Sequence, residues 1–459
     1  MIQEECGVFG IYDRDGYDVA RMTYAALFAM QHRGQESCGI AVNRDRDIYL
    51  YKNVGHVSEV FRDRELDALK GQFAIGHVRY ATTGGTGVLN AQPLMTWYVK
   101  GQMAMAHNGN LSNAGQLKEE LQQAGAIFQT TTDTELMMHL VARERLKTGR
   151  AELALVQMMK YVEGSYSLVM MSPQKLMACR DPQGMRPLCI GKMSDHTYVV
   201  ASESCALDTI RAEFIRDVEP GEVIVIDKNG LRSIRDNCQG HSRMCIFEYI
   251  YFARSDSIIE GQSVHEARKN LGKILAQTDP VEADMVIGVP DSGIDAAIGY
   301  AMESGIPYGK GLVINRYVGR TFIQPTQAER KQAVRLKINA LKQTVEGKRI
   351  IMVDDSIVRG TTSAKLVDML REAGATEVHM RISSPPFTWP CYFGTDIPDK
   401  DQLLACKYSV EEIRKMIGAD SLVFLPAERL KETIPNARCG FCDGCFTGNY
   451  PYEIHKNKE

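Results

Sequence analysis

The chain has 459 residues, 44% hydrophobic and 24% charged, with a net charge of −3 and a pI near 6.4. That length accommodates two or three domains, and the near-neutral balance gives no electrostatic reason to bind nucleic acid or an anionic membrane. No apolar run approaches the roughly 18 residues of a membrane span, and residues 1–5 lack the basic and apolar regions of a signal peptide, so a cytoplasmic protein without nucleic-acid or membrane partners is expected.

Residues 6–230 read as short strands broken by glycine and asparagine, with a few helices. "CGVFGIY", "GIAVN", "DIYLYKNVG", "QFAIGHVRY" and "QMAMAHNGNL" are strand-like, whereas "RMTYAALFAMQHR" and "DTELMMHLVARERLKTG" carry helical apolar spacing. "SYSLVMM", "TYVVASES" and "GEVIVID" continue the strands. The polar stretch 228–243 reads as a linker. Beyond it the grammar changes: strand "ADMVIGVP", helix "SGIDAAIGYAMESG", strand "KRIIMVDD", helix "TTSAKLVDMLREAGA", strand "EVHMRISS". This alternation predicts a parallel, doubly wound sheet.

Twelve cysteines are too dispersed for a disulfide scaffold. Cys38, Cys179, Cys189, Cys205, Cys238 and Cys406 stand singly and read as structural thiols. "CGFCDGC" puts Cys439, Cys442 and Cys445 at two-residue gaps, a metal-ligand pattern for which spacing alone favours zinc and iron–sulfur equally.

The most specific chemical signal is "IIMVDDSIVRGTTSAKL" (350–366). A buried strand ends in Asp354 and Asp355, and a short loop through Arg359 and Gly360 opens a helix. The free N–H groups at that helix start, with the hydroxyls of Thr361, Thr362 and Ser363, form an anion cradle. The acids suit sugar hydroxyls or Mg²⁺. The stretch resembles the phosphoribosyl pyrophosphate (PRPP) loop of the phosphoribosyltransferases, and "GVPDSG" (288–293) resembles their pyrophosphate loop. The resemblance implies that Ser292, Asp354 and Asp355 lie near Mg²⁺. It also implies that the basic segment 315–337, with Arg316, Arg320, Lys331, Arg335 and Lys337, closes over the substrate.

Cys6 poses a separate question. A cysteine at a chain terminus carries its own base in the α-amino group, whose pKa is roughly 7.7–8.0; here that requires removal of residues 1–5. "QHRGQES" (31–37), "GHVRYATTGG" (76–85), "HNGNL" (107–111) and "TTTDTE" (130–135) together resemble the glutaminase domain of N-terminal-nucleophile amidotransferases. Taken singly, Arg79 reads equally as a surface cation, Asp133 as a helix cap and "HNG" as a hairpin turn. The resemblance implies that Cys6 is the nucleophile, Asn108 and Gly109 the oxyanion donors, Arg79 the partner of the glutamine carboxylate and Asp133 that of its ammonium.

Both halves in one chain resemble the glutamine phosphoribosylpyrophosphate amidotransferase family, over nearly the whole length. That resemblance implies an αββα glutaminase domain (6–237) after a five-residue propeptide, then a phosphoribosyltransferase domain (238–459), an α+β domain followed by an α/β one. The implied reaction converts glutamine, PRPP and water to 5-phosphoribosylamine, glutamate and pyrophosphate, with ammonia passed internally, as the first committed step of purine synthesis. Purine nucleotides as feedback inhibitors and a homo-oligomer, commonly a tetramer, are implied too. One branch of the family carries a [4Fe–4S] cluster, whose ligands match Cys245, Cys391, Cys442 and Cys445, leaving Cys439 as an extra thiol. A glucosamine-phosphate or asparagine-forming amidotransferase would lack the phosphoribosyl loop. A non-catalytic PRPP sensor would not need Cys6, Asn108 or Asp133, and a redox carrier would leave both halves unexplained.

Overall fold

The computed structural model describes residues 5–80, 85, 87–315, 338–395, 397 and 399–454; the expected basic hood residues Arg316, Arg320, Lys331, Arg335 and Lys337 lie outside them. The first half contains thirteen strands: β1 (Gly7–Tyr12), β2 (Ser37–Arg44), β3 (Asp47–Val54), β4 (Phe73–Arg79), β5 (Leu94–Tyr98), β6 (Gly101–Leu111), β7 (Gly164–Ser172), β8 (Lys175–Arg180), β9 (Cys189–Ser194), β10 (Thr197–Ala201), β11 (Glu213–Asp217), β12 (Val223–Asp227) and β13 (Gly230–Ile234). They form one sheet in the order β11-β9-β10-β1-β4-β2-β3 and another in the order β13-β12-β8-β7-β6-β5.

The two sheets pack face to face, and helices cover both outer faces. β1 shows why its sequence lacks polar alternation: Phe9 and Ile11 pack toward the helix Val19–Ala29, while Val8 and Tyr12 meet the second sheet. Successive residues point to opposite faces, and both faces are dry. The helices Ala114–Gln123, Asp133–Thr148 and Ala151–Met158 close the far side. This is the expected αββα arrangement. One expectation needs correction: the polar stretch at 228–243 is only partly a linker. β13 pairs with β12 from Asp227↔Gly230 to Val223↔Ile234, and as the edge strand of its sheet it keeps a polar face that disguises it.

In the second half, strands Met285–Gly288, Arg349–Asp354, Glu377–Ile382 and Ser421–Phe424 pair in parallel in that order. Alternate residues serve two cores. Val286, Ile351 and Val353 face helices Val264–Thr278 and Ile294–Ser304, whereas Ile287, Ile350 and Met352 face helices Thr361–Glu372 and Val410–Ile417. The sheet is thus doubly wound. Tyr308 bridges Val286 in parallel on the side away from Ile351. The connections therefore diverge between the first two strands of the sheet, and the loops leaving them, 289–293 and 355–360, emerge at the switch point where open α/β sheets bind ligands. The helices Val264–Thr278 and Val410–Ile417 and the strand Ser421–Phe424 had not been anticipated from sequence.

Ile351, fully buried between these layers, gives a stability test. Ile351→Ala is expected to cost about 2–5 kcal/mol, seen as an earlier unfolding transition in a denaturant titration.

Candidate active site

Four separate motifs of the first half converge on Cys6. The residue precedes the central strand β1, is almost fully buried, and its Sγ donates to the Tyr80 carbonyl at 3.5 Å. β4 and β2 pair so that Arg79 lies opposite Ser37; the Arg79 guanidinium is held by Glu36 at 3.1 Å and the Gly85 carbonyl at 3.4 Å. Asp133 opens the helix Asp133–Thr148, accepts from the Leu111 N–H at 3.1 Å and stands 3.3 Å from His107 Nδ1.

Electrostatics assign different states to these groups. Burial pushes the Cys6 thiol up to about 11, with a backbone hydrogen bond of Tyr80 and the Arg79 charge acting the other way and Glu5 and Asp133 adding to the rise. For Asp133 burial opposes ionisation, but His107 and two backbone N–H groups outweigh it and hold the carboxyl below its usual range. Asp133 therefore remains an anion beside the thiol. His77, buried on β4, is driven down to about 3 by burial and stays neutral, its Nε2 2.9 Å from the His107 carbonyl.

Asn108 and Gly109 lie near the end of β6, opposite Ser167 and Tyr166 of β7. Asn108 is buried, yet among the described residues neither its Nδ2 nor its Oδ1 has a partner. A buried amide left unpaired costs about 1–3 kcal/mol. Gly109 is required by its backbone: φ is 135°, and a Cβ there would stand 2.1 Å from the Ser165 carbonyl oxygen.

Before Cys6, Glu5 is fully enclosed. Its carboxylate pairs with Arg186 and accepts from Thr395 Oγ1 at 3.0 Å; burial nonetheless lifts it to about 7. Glu5, Glu36, His107 and Arg186 were not singled out from sequence. Each acts through a partner distant in the chain, although Glu36 and His107 sit inside the quoted motifs.

At the switch point of the second half, Ser292 Oγ donates to Asp355 Oδ1 at 2.6 Å, Ser356 also donates to Asp355, and the Asp355 N–H donates to Asp354 Oδ1 at 3.0 Å. Burial and then the Asp355 charge push Asp354 well above the carboxylate range. A buried acid pair in this condition is suited to a cation. Gly360, at φ 69°, turns the chain into the helix Thr361–Glu372. The first N–H groups of that helix, at Thr361, Thr362 and Ser363, have no intrahelical acceptors and face the loop. Arg359 instead turns to Gln402.

The late cysteines separate into two groups. Cys245 lies opposite Cys442 in a short parallel pair. Burial raises the Cys445 thiol, and the charges of Cys391, Cys245 and Cys442 add to the rise. Cys439 responds instead to Glu260, Arg180 and Asp217. Among the described residues no group of three or more His, Cys, Asp or Glu is arranged to hold a metal ion. The four mutually interacting thiols nevertheless come from three separate segments. The segment after Cys391 reaches the first half: Tyr392 accepts from Asn110 Nδ2 at 3.0 Å, and Phe393 accepts from Ser165 Oγ at 2.6 Å.

Residues 77–209 match the glutamine amidotransferase domain family. The chain is 51% identical over 461 residues to the amidophosphoribosyltransferase of Bacillus subtilis, covering 99% of this chain and 96% of that protein. It is 49% identical over 451 residues to the amidophosphoribosyltransferase of Archaeoglobus fulgidus, covering 98% of each. The chain belongs to the amidophosphoribosyltransferase family. A solved structure described as the allosteric regulatory enzyme of purine biosynthesis superposes with TM-score 0.92 at 50% identity, covering 98% of this chain and 97% of that one. Another, the glutamine PRPP amidotransferase of B. subtilis complexed with ADP and GMP, superposes at 0.91 and 50% identity, covering 98% of each. The architecture read from the sequence is therefore that of a family of glutamine-dependent transferases.

The thiol state at Cys6 can be measured. In chain that retains Glu5, alkylation at Cys6, counted as the difference from Cys6→Ala, should be slow at pH 7.5. It should rise about tenfold per pH unit toward pH 10, because the reactive thiolate forms only as pH approaches about 11. A rate independent of pH between 7 and 9 would contradict this state.

Proposed function

We propose that the chain catalyses glutamine-dependent formation of 5-phosphoribosylamine from PRPP, the first committed step of purine synthesis. The observation that carries this reading is one chain with two dissimilar sites: a buried cysteine under the influence of Arg79 and Asp133, and an acid pair with an anion cradle at the switch point. In the first site, Cys6 Sγ attacks the glutamine amide carbon and its proton passes to the Cys6 α-amino group, freed by removal of residues 1–5. The Asn108 amide and Gly109 N–H stabilise the oxyanion, Arg79 pairs with the substrate carboxylate and Asp133 with its ammonium. Collapse expels ammonia, which carries away the proton, and water hydrolyses the thioester to glutamate.

Ammonia then attacks the anomeric carbon of PRPP, and the carbon–oxygen bond to pyrophosphate breaks. Asp354 and Asp355 orient the ribose, and Arg359, Gly360, Thr361, Thr362 and Ser363 hold the 5′-phosphate, with Arg316 and Arg320 as further phosphate contacts. Ser292, Asp354 and Asp355 are the residues that would hold Mg²⁺, which when bound neutralises charge on the departing pyrophosphate. The raised Asp354 supports that fit.

The domain division at 237/238 is supported by the end of β13 at Ile234 and the start of the next short strand at Met244. The thiols of Cys245, Cys391, Cys442 and Cys445 suit a structural [4Fe–4S] cluster, since four-cysteine sets are the donor chemistry of such clusters. The supporting observations are that Cys245 lies opposite Cys442 and that Cys391 packs against the small cluster containing Cys442. Cleavage after Glu5 is proposed because it would free an α-amino group on Cys6 itself, whose thiol burial otherwise pushes up to about 11. Feedback by purine nucleotides is favoured by the ADP and GMP in the B. subtilis relative, and a homotetramer is the assembly proposed. A cytoplasmic location is proposed on the twelve unpaired cysteines; among the described residues no helix is long and apolar enough to cross a membrane.

The deciding assay is PRPP-dependent glutamine hydrolysis with pyrophosphate release, on protein whose intact mass corresponds to residues 6–459. Cys6→Ala should abolish glutamine use and retain synthesis from ammonium chloride; loss of both, or of neither, would refute the division of labour. Protein purified anaerobically should contain iron and acid-labile sulfide in similar amounts, whereas stoichiometric zinc without sulfide would refute the cluster.

A further inference from the structure

Residues 87–91, with Gly85, form a strap beside Arg79 and Thr131, and two residues outside the motifs hold it. Lys52, on β3, is partly buried, and its ammonium donates to the Leu89 carbonyl at 3.4 Å and the Ala91 carbonyl at 2.5 Å. It thus grips the backbone on both sides of Asn90. Asn90 is itself buried and uses its whole amide: Nδ2 donates to the Gly85 carbonyl at 2.6 Å and to Thr131 Oγ1 at 2.9 Å, while Oδ1 accepts from the Thr131 N–H at 3.1 Å. The Gly85 N–H also donates to Thr131 Oγ1 at 3.1 Å.

Both ends of this arrangement lead to substrate groups. The Gly85 carbonyl is one of the acceptors of the Arg79 guanidinium, and Thr131 lies two residues before Asp133. A little farther on, Gln92 Oε1 accepts from the His107 N–H at 2.8 Å, beside the histidine that faces Asp133. We propose that Lys52 and Asn90 are positioning residues for glutamine, fixing the separation between Arg79 and Asp133 so that both charged ends of one amino acid are met together. This deepens the reading of the first site given above and rests on it.

The chemistry of the pair fits that task. An ammonium supplies several donors and can serve two carbonyls at once, which no apolar residue of equal length can do. Burial and the nearby Arg79 charge lower Lys52 to about 8; an incoming carboxylate on Arg79 offsets that repulsion and strengthens the grip. An amide at position 90 is required at both ends, because one end faces a carbonyl acceptor and the other a backbone donor.

The test uses the full chain, saturated with PRPP and Mg²⁺, as wild type, Lys52→Met, Asn90→Ala and Asn90→Asp. KM and kcat are measured with glutamine, and the synthesis rate with ammonium chloride. Each variant should raise the glutamine KM about five- to tenfold with kcat changed less than about twofold, and should leave the ammonia-dependent rate unchanged. Asn90→Asp should match Asn90→Ala, since a carboxylate can accept from Thr131 but cannot donate to Gly85. The Lys52→Met/Asn90→Ala double variant should be little worse than the worse single, because both act through one strap. Unchanged KM, equal losses with glutamine and ammonia, or full retention by Asn90→Asp would each overturn the proposal. If one variant fails to fold, the other position decides. Absence of glutamine hydrolysis in the wild type would overturn the parent reading as well, whereas an active wild type with insensitive variants overturns the strap alone.

Discussion

The buried guanidinium of Arg33 is the interaction on which the two halves depend. Its Nε donates to the Cys6 carbonyl at 3.0 Å, and its other nitrogens reach Glu203 at 2.6 Å and Glu248 at 2.7 Å. None of these side chains is solvent exposed. Glu203 also receives His32 at 2.7 Å, the Arg254 N–H at 2.9 Å and Ser257 Oγ at 2.7 Å. Glu248 begins the short π-helix Glu248–Phe252 at the start of the second half. Breaking one member of such a network leaves an uncompensated buried charge, at a cost of about 3–5 kcal/mol. The backbone of Cys6 is thus fixed by the same cation that anchors the other half.

Two aspartates show how environment, not residue type, sets chemical state. Asp133 and Asp354 are both buried, and burial alone would neutralise either. Asp133 has His107 and two N–H donors, which keep it an anion. Asp354 has Asp355 as its neighbour and is driven the opposite way. In the function proposed above, the first would meet the ammonium of an amino acid as it stands, and the second would be completed by a cation accompanying a phosphorylated sugar. The difference suits a site that binds a small zwitterion and another that binds a polyanion.

The half-buried segment 391–395 links these regions. It carries Cys391, reaches β6 and β7 through Asn110 and Ser165, and holds Glu5 through Thr395. The segment that carries Cys391 is thus hydrogen-bonded through two carbonyls to the strands β6 and β7. Asn110 lies in the "HNGNL" stretch, whereas Ser165 and Thr395 belong to no motif quoted for its chemistry.

By itself, the sequence determined the class of each half and pointed to candidate chemistry-bearing residues. Strands of period two, helices closed by Gly149 or Gly305, and the loop from Asp354 to Ser363 are local patterns, enforced by backbone geometry within a few residues. The same locality explains the misreading at Gly230–Ile234, whose polar face is legible as a strand only once β12 lies beside it. What only the tertiary structure decided is long-range pairing: Arg33 with Glu248, Glu5 with Arg186, and Lys52 with the strap at Asn90. A charge or an amide carries no mark in sequence of the partner it will meet a hundred residues away. The folded interior selects that partner, because only there is leaving it unpaired expensive.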